Sequence, residues 1–222
     1  MAANDRIAWL LAAGSAAGLV LVGLGWLRHP GISLLSLAAA ALVLALYAVV
    51  ALRFASRLAP PGSLVARAAW WGGLAAALVF CGEIILEYAL LPADNSRFGM
   101  VEFGTVWLTY LAVAAIIAYS GRPLRDCIAG AVLAAMISSI LWCVCLLAMY
   151  QWFEGTARQA SVLLAEGDFD DFRRSGMASF ATFEMEDLFG ATFFHLLLGP
   201  MIAAVLACVA WAGARAVGLF RR

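Results

Sequence analysis

Six stretches of this chain run for about twenty residues with scarcely a charge. They cover roughly residues 7–27, 31–52, 68–91, 99–119, 127–150 and 188–214. About 20 helical residues cross a hydrocarbon layer about 30 Å thick, so each stretch is long enough to span one. Hydrophobic residues make up 65% of the chain and charged ones 13%, against about half and a quarter in a soluble domain. One protein interior cannot hold that surplus, so lipid must cover it. Inside lipid, a segment has to satisfy its own backbone polar groups, and a helix does so. The expected fold is therefore an all-α polytopic membrane protein, a single bundle of six transmembrane helices over 1–222. The first stretch exceeds the about 7–15 apolar residues of a signal peptide and lacks a clear cleavage site. It reads as a retained helix.

Arginine supplies every positive side chain; the chain has no lysine. With the N-terminus inside, the inner side holds Arg6, Arg53, Arg57, Arg67, Arg122, Arg125, Arg215, Arg221 and Arg222. The outer side holds Arg28, Arg97, Arg158, Arg173 and Arg174. That bias predicts cytoplasmic termini, and the composition fits a small bacterial inner-membrane protein. Trp70 and Trp71 at the inner end of the third span, and Trp152 beyond the fifth, suit interfacial belts. Without lysine no Schiff base can form, which excludes a retinal pigment of the rhodopsin type. A formal net charge of zero gives no case for nucleic-acid binding. Cys81, Cys127, Cys143, Cys145 and Cys208 lie in or beside apolar runs and read as small hydrophobes, not a disulfide framework. Cys143 and Cys145 point about 200° apart on a helix, which makes a poor metal pair.

Two connections are longer than the rest. Residues 53–67 form an inner loop with a Pro60-Pro61-Gly62 turn. Residues 151–187 form an outer segment with eight acids and three arginines, a charge of −5. Val162, Ala165, Phe169 and Phe172 recur in it at helical spacing and are placed to cap the bundle. No internal repeat or inverted symmetry stands out, which weighs against a secondary transporter built of repeats.

The chemistry-bearing residues crowd toward the outer side. Glu83 and Glu87 share one face of the third span. At about 1.5 Å per residue, Glu83 lies roughly 12 Å inside the outer boundary and Glu87 roughly 6 Å. A tight turn over 91–97 makes the third and fourth spans antiparallel and returns Glu102 to the depth of Glu87. The approach to the sixth span carries Glu184, Glu186 and Asp187, and His195 follows roughly 12 Å deep, level with Glu83. If the sixth helix extends back that far, Glu184 lies about 20° from His195 around the axis and Glu186 points elsewhere. The inner half of the spans holds no ionisable acid or histidine. A charge at the bilayer centre costs about 2.5–3.5 kcal/mol. Glu83, the deepest acid, must then face a cavity or a partner, or hold a proton. Glu87 and Glu102 are shallow enough to reach headgroups or water. His195 is a ligand or proton-carrier candidate whose plain alternative is a hydrogen-bonded packing residue.

Carboxylates with one imidazole can bind a divalent cation or carry protons. The chain has no metalloprotease H-E-x-x-H and no Gly-rich phosphate loop. The run D-F-D-D-F-R starts like a calcium loop, but Arg173 stands where the glycine is needed and Ser179 where the bidentate Glu is needed. Haem or chlorin binding at His195 rests on an A-x-x-x-H spacing alone and is disfavoured. His29, the other histidine, lies at the outer edge, too shallow to be an obvious second axial ligand. Gly14 and Gly18 form G-x-x-x-G, and with Gly72, Ala76, Gly130 and Ala134 they supply small surfaces, read first as contacts within the bundle. Pro200 after Gly199 is expected to kink the sixth helix or free a carbonyl.

Three readings fit these residues. One is transport, or ion or proton binding, through an outward-facing carboxylate–histidine pocket of Glu83, Glu87, Glu102 and His195, with Glu184 and Asp187 as secondary members. Another is a non-catalytic accessory or assembly subunit whose acids are satisfied by a membrane partner or a second copy. The third is a membrane-embedded enzyme assisted by a divalent metal, against which the absence of a soluble domain weighs.

Overall fold

A computed structural model describes residues 3–60, 62–89 and 96–220. Among these, nine helices and no strand occur: α1 (Ala3–Arg28), α2 (Leu34–Arg53), α3 (Ala55–Leu58), α4 (Leu64–Ala89), α5 (Ser96–Tyr119), α6 (Leu124–Phe153), α7 (Ala157–Glu166), α8 (Asp168–Ser175) and α9 (Phe180–Phe220). Six of them, α1, α2, α4, α5, α6 and α9, are long and apolar enough to cross a membrane. The chain is an all-α polytopic membrane bundle. The turn expected from 91, together with Pro61, Arg221, Arg222 and the side chain of Arg97, lies outside what is described.

The helix ends shift from their expected places for local reasons. The second span begins at Leu34 rather than 31 because Ser33 takes the N-cap, its hydroxyl accepting the Ser36 N–H at 3.1 Å. Helix α9 begins at Phe180 rather than 188, so Glu184, Glu186 and Asp187 stand on it. Charge sets where a helix leaves lipid, not where it stops being a helix. Here the added turns are held by Phe180, which stacks on Phe169 with ring centroids 4.3 Å apart, and by Glu186. The Glu186 carboxylate accepts the Ser36 hydroxyl at 2.9 Å and the Ser33 N–H at 3.4 Å. It therefore sits at the positive end of α2, where a carboxylate is favoured.

Helix α6 is the axis of the bundle. More than half of its apolar window is buried, against a third or less for the other spans. Helices α1, α4, α5 and α9 pack on it. Small residues bring the backbones together: a methyl group at Gly73 would meet Ile137 Cβ at 2.7 Å and the Ala134 carbonyl oxygen at 2.9 Å. Gly14 faces Ile140 and Gly18 faces Leu44, so the G-x-x-x-G pair is used within the bundle, against α6 and α2. The outward surface keeps the character of a lipid-facing one, with Leu35, Leu42, Leu78, Trp71 and Trp152 exposed.

Pro200 does not interrupt α9, which is helical on both sides of it. A proline has no N–H to give the carbonyl four residues back, which here is Leu196. The Tyr47 hydroxyl of α2 donates to that carbonyl at 2.6 Å. Nearby, Tyr110 and Ser138 hydroxyls lie 2.6 Å apart, and Ser138 reaches the Ala135 carbonyl at 3.0 Å. Polar groups in the middle of the bundle thus satisfy one another, as lipid requires.

Replacing Tyr47 by Phe is expected to cost about 1 kcal/mol in detergent, the usual scale for an interhelical hydrogen bond in a membrane protein. In a Pro200→Ala background residue 200 donates its own N–H, and the loss should shrink toward zero. A double-mutant cycle by reversible unfolding reads this coupling. Equal losses in both backgrounds would disprove the link. Independently, Gly73→Val should destabilise by about 1–3 kcal/mol, since the added methyls overpack the α4–α6 seat.

Candidate carboxylate site

The acidic segment folds back over one end of the bundle. Thr156 caps α7, accepting the Gln159 N–H at 3.2 Å, and Gly167 in the left-handed region (φ +91°) turns the chain from α7 into α8. Val162 is fully buried against Ile84 and Tyr88 of α4, with Trp142 and Met149 of α6 alongside. Phe169 and Phe172 pack on Phe180, and Phe172 also on Phe183, both of α9. Of the four residues expected to cap the bundle, Val162, Phe169 and Phe172 do so, while Ala165 is exposed. Arg158 fastens the lid: its guanidinium donates to the backbone carbonyls of Tyr88, at 3.1 Å, and Glu87. These are carbonyls at the end of α4, where a cation is favoured.

Beneath and beside this lid the acids gather. Glu83, Glu87 and Glu102 lie within electrostatic reach of one another, so α4 and α5 do bring the three together. Their burial departs from the order expected from depth. Glu87 and Glu102 are 6% and 9% exposed, whereas the deeper Glu83 is half-buried. Depth measured along one helix cannot anticipate what a later segment covers, and α7 packs against α4 near its end. Glu166 lies near Glu87 and Glu83, and Asp168 near Glu166. Glu184 lies near Asp168 and Asp187. Glu184 is 4% exposed, and among the described residues its Oε1 has no hydrogen-bond partner. Asp187 is open to solvent.

Two of these acids stand outside the spans. Enclosure by protein, then the charges of Glu87 and Asp168, hold the Glu166 carboxyl above the usual carboxylate range, although the residue keeps one side open to solvent. Burial raises Asp168 as well; the Glu166 side-chain hydrogen bond opposes that shift and the Asp187 charge adds to it.

His195 sits among aromatic rings. Its ring lies 4.4 Å from that of Trp142 and stacks 5.9 Å from that of Phe103. It lines a crevice of about 30 Å³ with Phe80, Trp107, Tyr110 and Ser139, room for one water. Helices α5 and α6 both pack on α4 and on α9, and Phe80 of α4 meets the His195 crevice. Among the described residues no ion pair joins His195 to a carboxylate. The ring lies level with Phe80, one turn from Glu83 on α4, and with Phe103, the neighbour of Glu102 on α5. Glu184 shares the His195 face, as the helix geometry implies, but eleven residues separate them along α9, roughly 16 Å. His29 is buried beside Glu154, Nε2 to Oε1 2.9 Å, with Arg28 3.7 Å from the same carboxylate. It ties the α1 end to the α6 end.

Among the described residues, no three His, Cys, Asp or Glu side chains converge at metal-ligand spacing. The five cysteines are free thiols. Cys145 turns its thiol toward the Cys81 carbonyl oxygen at 4.0 Å, a contact between α6 and α4 that the spacing of Cys143 and Cys145 gave no reason to look for. Sequence reasoning also left Glu166, Asp168 and Arg158 out of the site. The signal available was the Thr156 cap followed by a helical apolar period and Gly167, which together make a short helix able to fold back.

Arg158→Ala should loosen the lid without unfolding the bundle. Backbone hydrogen exchange over 157–175 is expected to speed up while α6 stays protected, and unchanged exchange there would show that the apolar seat alone holds α7. Comparison with protein-family models, with curated proteins and with solved structures finds no match.

Proposed function

We propose that this protein binds protons through its carboxylate cluster and exchanges them with the aqueous side that the lid faces. The observation that carries this reading is Glu184: a carboxylate 4% exposed, with one oxygen lacking a hydrogen-bond partner among the described residues, near Asp168 and Asp187. A buried ionised carboxylate without a partner is costly, and a bound proton removes most of that cost. Glu166 and Asp168 lead from Glu184 toward Glu83, Glu87 and Glu102. Exposed Asp187 meets water at the outer end. The series offers successive acceptors from solvent to the half-buried Glu83. A divalent cation would need three donors drawn together, whereas a proton needs one oxygen at a time.

Infrared titration of the purified protein tests the reading. A protonated-carboxyl C=O band should persist at neutral pH and lose a component in Glu184→Gln. If the band is absent, the proton reading falls. A rise in thermal midpoint specific to one divalent metal and lost in Glu83→Gln would replace the proton with an ion.

Stability should also follow pH with a definite sign. Glu166 and Asp168 hold protons more tightly folded than unfolded, so the folded state binds more protons between the two titrations. Stability then falls as pH rises from the ordinary carboxylate range, about pH 4, toward the raised values. Glu166→Gln should flatten that fall in a series of thermal midpoints.

A further inference from the structure

The end of the bundle opposite the lid holds a cavity of about 410 Å³ between the α3–α4 connection and the start of α6. Arg57, Arg122, Arg125, Asp126 and Ser63 line it. Three guanidinium groups against one carboxylate leave a charge of +2. Asp126 does not saturate its neighbours: Arg122 Nη1 lies 3.9 Å from it and Arg125 Nε 3.5 Å, with no hydrogen bond formed, and Arg57 makes no ion pair among the described residues.

The backbone adds to the imbalance. Both α4 and α6 begin here, at Leu64 and Leu124. A helix start leaves first-turn N–H groups without intrahelical acceptors and carries about half a positive charge. Ser63 caps α4, its hydroxyl accepting the Ala66 N–H at 3.1 Å. Pro123 sits at the N-cap of α6 and brings no side-chain acceptor. Arg122 and Arg125 flank that start, and Asp126 is the one acid in its first turn. Three arginines and two positive helix ends therefore converge on one open cavity with a single acid among them.

We propose that this cavity binds a phosphate-bearing anion, supplied by the headgroup of an anionic phospholipid. The guanidinium forks are matched to phosphate oxygens in pairs, and the uncapped N–H groups of α6 add donors of the same kind. Basic pockets between transmembrane helices at a membrane surface take lipid headgroups by this chemistry. The exposed apolar side chains of Leu52, Phe54 and Leu58 lie on the adjoining chain, where acyl tails would run.

Native mass spectrometry of the detergent-solubilised protein, titrated with short-chain phosphatidylglycerol, phosphatidylcholine and inorganic phosphate at matched ionic strength, tests this. Phosphatidylglycerol should bind, and phosphatidylcholine should bind at least about tenfold more weakly. Arg57→Gln with Arg122→Gln should weaken phosphatidylglycerol by about tenfold or more, while Arg67→Gln, a charge change at the same end but outside the cavity, should not. The charge-conserving Arg57→Lys with Arg122→Lys, which keeps the fold safe if the glutamine pair does not, should still weaken binding because the planar forks are lost. Equal binding of the two lipids, or equal loss in the Arg67 variant, overturns the proposal. Binding of inorganic phosphate through Arg57 and Arg122 as tight as that of phosphatidylglycerol overturns the lipid source.

Discussion

The close seat of α4 on α6 governs most of what lies above and below it. Gly73 lets its backbone approach Ala134 and Ile137 nearly atom to atom, and in lipid such packing is the main force available to hold helices together. With α4 fixed there, Glu83 and Glu87 are carried to one end of the bundle, and Ile84 and Tyr88 form part of the surface on which α7 rests. At the other end, the same helix begins beside the start of α6. One contact between small residues thus sets the position of both polar regions.

The two regions differ in how their charges are handled. At the acidic end, low-dielectric surroundings make each ionised carboxylate raise the cost of the next, and the lid encloses them further. Arg158 answers with its guanidinium on main-chain carbonyls. Among the described residues Arg28 pairs with Glu154, Arg173 with Asp170 and Arg174 with Asp171. The last two are exposed and one helical turn apart, so they support α8 more than they neutralise the buried acids. At the arginine end the field is open to solvent and headgroups, and excess charge is cheap to maintain.

What the amino-acid order made legible was whatever a single helix decides. Six spans, their order, and the common face of Glu83 and Glu87 follow from apolar run length and a period of 3.6 residues. The meeting of Glu102 with that pair followed from a short turn, which forces neighbours to be antiparallel. The aromatic company of His195 was not legible, because Trp142 and Phe103 come to it from α6 and α5, and which helices touch is not written in any one of them. Burial of Glu87 was hidden for a related reason, since the covering element lies some seventy residues away in the chain, as the Arg158 contacts show. The start of α9 was misjudged because Phe180 and Phe183 draw their support from α8, a contact no local pattern records.

Helix α9 runs for 41 residues, about 60 Å measured along its axis. Pro200 stands at its midpoint, pressed through Gly199 against Ser139 and held through Leu196 by Tyr47. Some twenty residues extend on either side, roughly 30 Å of lever in each direction. A swing of about 10° about that fulcrum would carry each tip about 5 Å, in opposite senses. One tip bears Glu184 and the aromatic seat of the lid; the other bears Arg215 over Trp211. One continuous helix thus carries both an acid of the cluster and an arginine of the far membrane face.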